Sequence, residues 1–324
     1  MLKKKLNISV ALATYNGSAY LEDQLNSIIN QTVAPTEVII SDDGSSDNSV
    51  ALARSLLSAS KLRFEIISHK SNMGFSSNFN SALMKTKGDI VFLCDQDDVW
   101  LPNKIEAFIE EINYDDLLLI MSDMKVVDQD LNIILESFLD SARIEVSEYT
   151  YGCTMALSRR LLNIALPVPH EVVQHDVWLN MFATILNAKR ILPVSTILYR
   201  RHEKNFTANL VGQQEGFFEI ISNAQQFRSR ILDRNMALSI ALERIKIAHV
   251  AGDLGEVLSN EAQLRLRRDL MIAAARSSGS TLSRLLSPLY YTRLYAKFGL
   301  SRFHLMKDTI LLNGLFQRDI AKRW

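Results

Sequence analysis

The chain has 324 residues, 48% of them apolar, and its 36 basic side chains balance 36 acidic ones. That supplies a large core and one or two globular domains, and it excludes a disordered chain. The charge balances overall and no nucleic-acid partner is expected, two cysteines without metal-ligand spacing make no disulfide framework, and no apolar run approaches the roughly 20 residues of a membrane span.

Lys3, Lys4 and Lys5 begin like a signal peptide, but the apolar run 8–13 is too short for one and leads into a polar turn. The expectation is a soluble or peripheral protein in a reducing cytoplasm, with Cys94 and Cys153 in its core.

In chain order, the runs 8–13, 38–41, 64–68, 90–94 and 117–121 read as strands. They are almost continuously apolar, as strands covered by helices on both faces are. Between them, Tyr20, Leu21, Leu25, Ile28 and Ile29 mark a helix. Val50, Ala53, Leu56 and Leu57 mark a second, opened by the capping cluster Ser45-Ser46-Asp47. Ile105, Phe108, Ile109 and Ile112 mark a third, with Pro102 near its start. Strand, turn and helix alternate, which is the α/β pattern. From about residue 211 the β-rich runs stop and long helical patterns follow. The expected division is therefore 1–210 as an α/β domain and 211–324 as a helical region. The first part is net acidic and the second net basic. Basic and aromatic residues mixed on the last helices suit an anionic membrane surface, and equally a packing or homo-oligomerisation element.

In an open α/β sheet the ligand lies beyond the carboxyl ends of the strands. Polar clusters fall at four of those ends. After the first strand comes Thr14-Tyr15-Asn16-Gly17, fit to hold a base or ribose. After the second comes Asp42-Asp43-Gly44, whose carboxylates can accept from a base N–H or ribose hydroxyls, with Gly44 permitting the turn. After the third come His69, Lys70, Asn72 and Gly74, able to meet an anion. The fourth delivers Asp95-Gln96-Asp97-Asp98, where alternate carboxylates can face one hard divalent cation.

These clusters resemble family 2 glycosyltransferases of the GT-A fold. The run Asp95-Gln96-Asp97-Asp98-Val99-Trp100 followed by Lys104 is similar to the bacterial rhamnosyltransferase-like branch. The resemblance covers about residues 6–210. It implies a Rossmann-like, predominantly parallel mixed sheet flanked by helices, and a C-terminal helical region beyond it. It further implies that Thr14, Tyr15 and Asn16 border the nucleotide, that Asp42 or Asp43 contacts base or ribose, and that Asp95 and Asp97 form the metal and diphosphate motif for Mg²⁺ or Mn²⁺.

His175-Asp176-Val177-Trp178 opens a helical pattern, which puts Asp176 where an ionised carboxylate is favoured. By the resemblance Asp176 is the catalytic base of an inverting transfer. His202, in the loop Tyr199-Arg200-Arg201-His202, matches a histidine that meets the metal or the diphosphate, with Arg200 or Arg201 as a phosphate partner. Gly152-Cys153-Thr154-Met155 falls where relatives line the acceptor site.

The function expected is metal-dependent transfer of a sugar, rhamnose among the candidates, from a nucleotide-sugar donor to a glycan or lipid-linked acceptor at the inner face of the cell membrane. A sugar nucleotidyltransferase is disfavoured by the lack of a Gly-rich, basic phosphate loop after the first strand. A non-catalytic nucleotide-sugar-binding scaffold would have no need of Asp176.

Overall fold

A computed structural model describes residues 6–111, 118–142, 149–170, 172, 174–186, 188–203 and most of 237–254. The basic tail beyond residue 254, with its expected membrane or oligomer contacts, lies outside the described residues, as do residues 204–236. Among the described residues no helix is long and apolar enough to cross a membrane.

One mixed sheet organises the domain. Its strands are β1 (Ile8–Thr14), β2 (Glu37–Asp42), β3 (Arg63–Ser68), β4 (Ile90–Cys94), β5 (Val99–Trp100), β6 (Leu119–Val127), β7 (Ile133–Leu135), β8 (Met155–Ser158) and β9 (Lys189–Arg200). The spatial order is β3-β2-β1-β4-β8-β6-β9-β5, with β7 paired to β6. From β3 to β4 every pairing is parallel. Beyond β4, β8 enters antiparallel between β4 and β6, while β9 runs parallel to β6.

The helices are α1 (Leu21–Ile29), α2 (Ser49–Ala59), α3 (Phe75–Lys85), α4 (Lys104–Glu111), α5 (Phe138–Ala142), α6 (Arg159–Ala165) and α7 (His175–Ile185). Central strands are apolar on both faces: all seven residues of β1 and all five of β4 are buried. Edge strand β3 has no fully buried residue. Ser9, polar within β1, is satisfied by Glu37 at 2.6 Å and by the Gly88 amide at 2.7 Å, as a buried hydroxyl must be.

The five expected strands are all present. The fifth is shifted, beginning at Leu119 and running on to Val127. Its polar continuation is tolerated because buried Asp123 accepts from the Leu139 amide and the Ser195 hydroxyl, and Ser122 pairs with Thr196 at 2.6 Å. The capping cluster before α2 acts through one member: Asp47 accepts from the Ser49 amide at 3.0 Å, while Asn48 at the N-cap makes no side-chain bond. Burial pushes Asp47 up, but bonds from Ser49 and Ser18 outweigh it and bring it down to about 2.

Trp178 of α7 is fully buried, stands edge-on to Phe182 and donates its indole N–H to the Ala165 carbonyl at 2.9 Å. Arg244 lies over the same indole and donates to Pro167, so a segment after the sheet domain packs on α6 and α7. Trp178→Ala is expected to cost about 3–5 kcal/mol, measured as a lowered urea midpoint; a loss under about 1 kcal/mol would show that α7 is not held by this ring.

Candidate active site

The strand order turns at β1. The chain proceeds outward through β2 and β3, then returns to place β4 on the other side of β1. Such a reversal opens a crevice at the carboxyl ends of the two central strands. Leu12 pairs with Cys94, so the acid turn 95–98 leaves the sheet beside the end of β1.

Gln96 joins the two ends. Its Oε1 accepts from the Thr14 hydroxyl at 2.7 Å and from the Tyr15 amide at 2.8 Å, and its Nε2 donates to the Tyr15 carbonyl. A β-carbon on Gly17 would fall 2.1 Å from that Oε1, so a side chain here would push the end of Gln96 aside. Gly17→Ala should displace Gln96 and weaken nucleotide binding by roughly tenfold, a loss of about 1.4 kcal/mol. Unchanged affinity in a calorimetric titration would mean that the bridge does not shape the site.

The loops after β1 and β2 are laced together. Asn16, at φ 47°, accepts from the Ser46 amide at 2.9 Å and donates its own amide to Ser45. Asp42 accepts from the amide and hydroxyl of Ser45. Asp43 accepts from the Met73 amide at 2.8 Å and the Gly74 amide at 3.0 Å. Both carboxylates are buried and hold loops, and Asp43 ties the second strand end to the third. Gly74 has φ 89°, which favours glycine, and its amide also meets Asn72. Lys70 is exposed at this rim, and His69 is within 3.0 Å of Ser41.

The far wall comes from β5 and β9, which pair Val99 with Leu198. That register sets Arg200 and His202 against the acid turn. The Arg200 amide donates to Asp98 at 3.0 Å, and His202 Nε2 lies 2.9 Å from Asp97 Oδ2. The His202 ring stacks on Tyr20 at 4.5 Å, and the Arg200 guanidinium covers the same tyrosine at 4.8 Å. Arg200 is buried, bonded to Asp23 at 2.8 Å and to the Gln129 carbonyl at 3.1 Å. For Arg200, the expected phosphate contact would require the guanidinium to leave Asp23.

Three carboxylates and an imidazole thus converge, with Asp98 Oδ2 buried and without a hydrogen-bond partner. Asp95, Asp98 and Cys153 bring ligand atoms within 4.8 Å of one another. Burial first, then the charges of Asp97 and Asp176, raise Asp95 to about 7; burial and the charges of Asp97 and Asp95 push Asp98 well up. Crowded carboxylates of this kind suit a hard divalent cation, which would relieve their repulsion. The donor set therefore fits a Mg²⁺ or Mn²⁺ ion. Burial pushes the Cys153 thiol well up, so sulfur is a poor donor here, whereas Asp97 and His202 already meet across the turn.

Asp176 is brought to this cluster by α7, and its charge acts on Asp95. Its Oδ1 accepts from the Val177 amide at 2.8 Å. A β-carbon on Gly152 would stand 3.5 Å from Asp176 Cβ and 3.6 Å from His175 Nε2, so Gly152 lies against the start of α7. Helix α3 supports both sides of the crevice: Asn78 donates to the Thr14 carbonyl, while Asn80 and Ser76 hold the segment before α7. His175 is buried, stacked on Phe79 at 4.0 Å, with both ring nitrogens unpartnered.

Gln96 and Lys104 enter the sequence reading only as members of the run 95–104, with no role assigned to either. Gln96 has no signal beyond lying between two acids. Lys104 sits at a helix start, where a basic residue is ordinarily solvated, yet here it is fully buried with Nζ on the Cys153 carbonyl at 2.7 Å.

A crevice at the turn of a mixed sheet, with an acid turn at the end of the fourth strand, fits the GT-A class of fold. The S. aureus TarS 1-349 structure in complex with UDP shares that fold, with a TM-score of 0.53 and 19% identity over 95% of this chain and 92% of the other. Residues 9–153, a little under half of the chain, match the model for glycosyl transferase family 2. An uncharacterized glycosyltransferase of Nostoc sp. is 32% identical over 123 residues, which span 38% of each chain. The Escherichia coli UDP-Glc:alpha-D-GlcNAc-diphosphoundecaprenol beta-1,3-glucosyltransferase WfgD is 25% identical over 180 residues, 54% of this chain and 69% of that protein.

Proposed function

We propose that the protein is a metal-dependent, inverting glycosyltransferase that moves a sugar from a nucleoside diphosphate onto a hydroxyl of a lipid-linked or polysaccharide acceptor. The observation that carries this reading is that Gly152 lies against both Asp176, at the start of α7, and Leu93, in the strand that delivers the acid turn: a binding scaffold needs the turn and has no use for a carboxylate on α7. The nucleotide side is the crevice edge formed by Thr14, Tyr15, Asn16, Asp42 and Asp43, with Lys70, Asn72 and Gly74 at the rim. Asp95, Asp97 and His202 would hold the divalent ion, with Asp98 beside them. When bound, the ion draws charge from the departing diphosphate.

Asp176 takes the proton of the acceptor hydroxyl as that oxygen forms its bond to the anomeric carbon and the bond from that carbon to the phosphate oxygen breaks. Arg200 serves this site through the Asp23 bond and the Tyr20 stack, which fix the loop carrying His202. The name of the E. coli relative supports a diphosphate-linked lipid acceptor, and the UDP complex of the neighbour supports a uridine donor. Rhamnose as the sugar rests on the motif similarity at 95–104. The division into a catalytic part to residue 210 and a basic helical part beyond it, set at the inner membrane face, belongs to the same proposal.

A thermal-shift panel of UDP, GDP, dTDP and CMP, each with and without Mn²⁺ or Mg²⁺, tests it, because a ligand of the native state stabilises by mass action. Metal-dependent stabilisation by one nucleoside diphosphate is expected. A flat panel would remove the transferase reading.

A further inference from the structure

Lys104 places a positive charge inside the protein directly behind the acid turn. It opens α4 at 0% exposure, with Nζ 2.7 Å from the Cys153 carbonyl oxygen and 4.6 Å from the centre of the Trp100 ring. The same Cys153 holds its sulfur within 4.8 Å of the carboxylates of Asp95 and Asp98. Cys153 thus meets the ammonium through its carbonyl and those two acids through its sulfur. Burial lowers Lys104 to about 8, against the opposing pull of Cys153, Cys94, Asp98 and Asp95, which leaves it mostly charged at neutral pH.

A brace for the Cys153 carbonyl needs only a neutral donor. Taking an ammonium out of water is costly unless anions face it, and the anions here are the acids of the site.

We propose that Lys104 is an internal counter-ion that offsets Asp95 and Asp98 before ligand arrives, so that a divalent cation alone binds weakly and enters together with a nucleoside diphosphate. This rests on the metal and nucleotide reading given above. With one buried cation behind these two acids the turn keeps its shape without metal, while its attraction for a free ion is reduced. A diphosphate brings the further negative charge that makes the ion's binding favourable. Lys104 is on this account a positioning and selectivity residue, and touches neither substrate nor ion.

Calorimetric titration of the full chain with Mn²⁺, alone and with a nucleoside diphosphate present, tests the role. In the wild type the diphosphate should tighten Mn²⁺ binding at least tenfold. K104M should bind Mn²⁺ alone about tenfold or more tightly than wild type, as expected from removing a charge at effective dielectric, and should depend less on the diphosphate. Adding D98N to K104M removes, along with the positive charge, a carboxyl that would ionise as the cation enters, and should bring the affinity for Mn²⁺ alone back to within about threefold of wild type. An unchanged or weaker affinity in a folded K104M would reduce Lys104 to a brace and leave the metal reading standing. If K104M alone does not fold, the double variant decides: affinity within about threefold of wild type supports the counter-ion, and a tenfold loss overturns it. A wild type that takes up no Mn²⁺ with UDP, GDP or dTDP overturns the metal reading itself, and the counter-ion with it.

Discussion

Asp176→Asn should lower transfer by roughly 10²–10⁴-fold, the usual contribution of a positioned general base, while nucleotide binding stays within about twofold of wild type. The substitution is nearly isosteric. The introduced amide oxygen can still accept from the Val177 amide, as Asp176 Oδ1 does at 2.8 Å, so the first turn of α7 keeps its anchor. The surrounding packing, Gly152 on one side and the His175 stack on Phe79 on the other, does not depend on the charge. The nucleotide edge lies across the crevice on β1, β2 and the acid turn, and loses nothing directly. Removing the charge should also lower Asp95, which Asp176 helps to hold up near 7, and that gain offsets the lost attraction of Asp176 for the cation. The expected signature is therefore a collapse of kcat with metal and nucleotide binding close to wild type, read by product formation beside a nucleotide titration. Transfer within about threefold of wild type would move the base to another residue.

The fold was legible where physics acts locally. Strands β1, β2 and β4 are buried on both faces and read as apolar runs, as does the edge strand β3, and each ends in a polar turn that periodicity exposes. The strands that pair late were not legible. Met155–Ser158 is four residues long and takes its place only because β4 and β6 flank it in antiparallel register, and Val99–Trp100 is a strand by virtue of β9 alone. Helix α3 carries an amphipathic pattern with buried Asn78 and Phe79. Its site-facing asparagines look like ordinary polar residues until their partners, 64 to 88 positions away, are known.

The site divides the same way. Residue types and order along the chain point to Asp95 and Asp97, the family resemblance adds Asp176 and His202, and the structure brings Asp97 and His202 to 2.9 Å. What spacing cannot supply is which polar groups are already committed. Asp43 looks free to meet a ribose, yet two backbone amides occupy its oxygens. Arg200 looks like a phosphate ligand, yet Asp23, 177 positions earlier, holds it. Lys104 looks solvated, yet it is interior. Each depends on a contact distant in sequence, which no local period encodes.

Asp97→Asn should separate stability from function. Asp97 is where negative charge is most concentrated in this turn: after burial, its charge is the largest influence raising both Asp95 and Asp98. Neutralising it relieves that repulsion, and one pKa unit of relief corresponds to about 1.4 kcal/mol. The weakened bond to His202 offsets part of the gain, because a neutral amide oxygen accepts less strongly than a carboxylate. The ligand-free variant should therefore be as stable as wild type or more stable by on the order of 1 kcal/mol, measured by urea denaturation. The same change removes a direct ligand of the proposed ion. Stabilisation by Mn²⁺ with a nucleoside diphosphate should disappear, and metal-dependent transfer should fall at least about 100-fold, a loss of about 2.7 kcal/mol. Such strain in an unliganded site is the expected cost of crowding charge where a cation will sit. A variant that loses several kcal/mol of stability would show that Asp97 is a structural partner of His202 first, and a variant that keeps its Mn²⁺ response would place the ion on Asp95 and Asp98 instead.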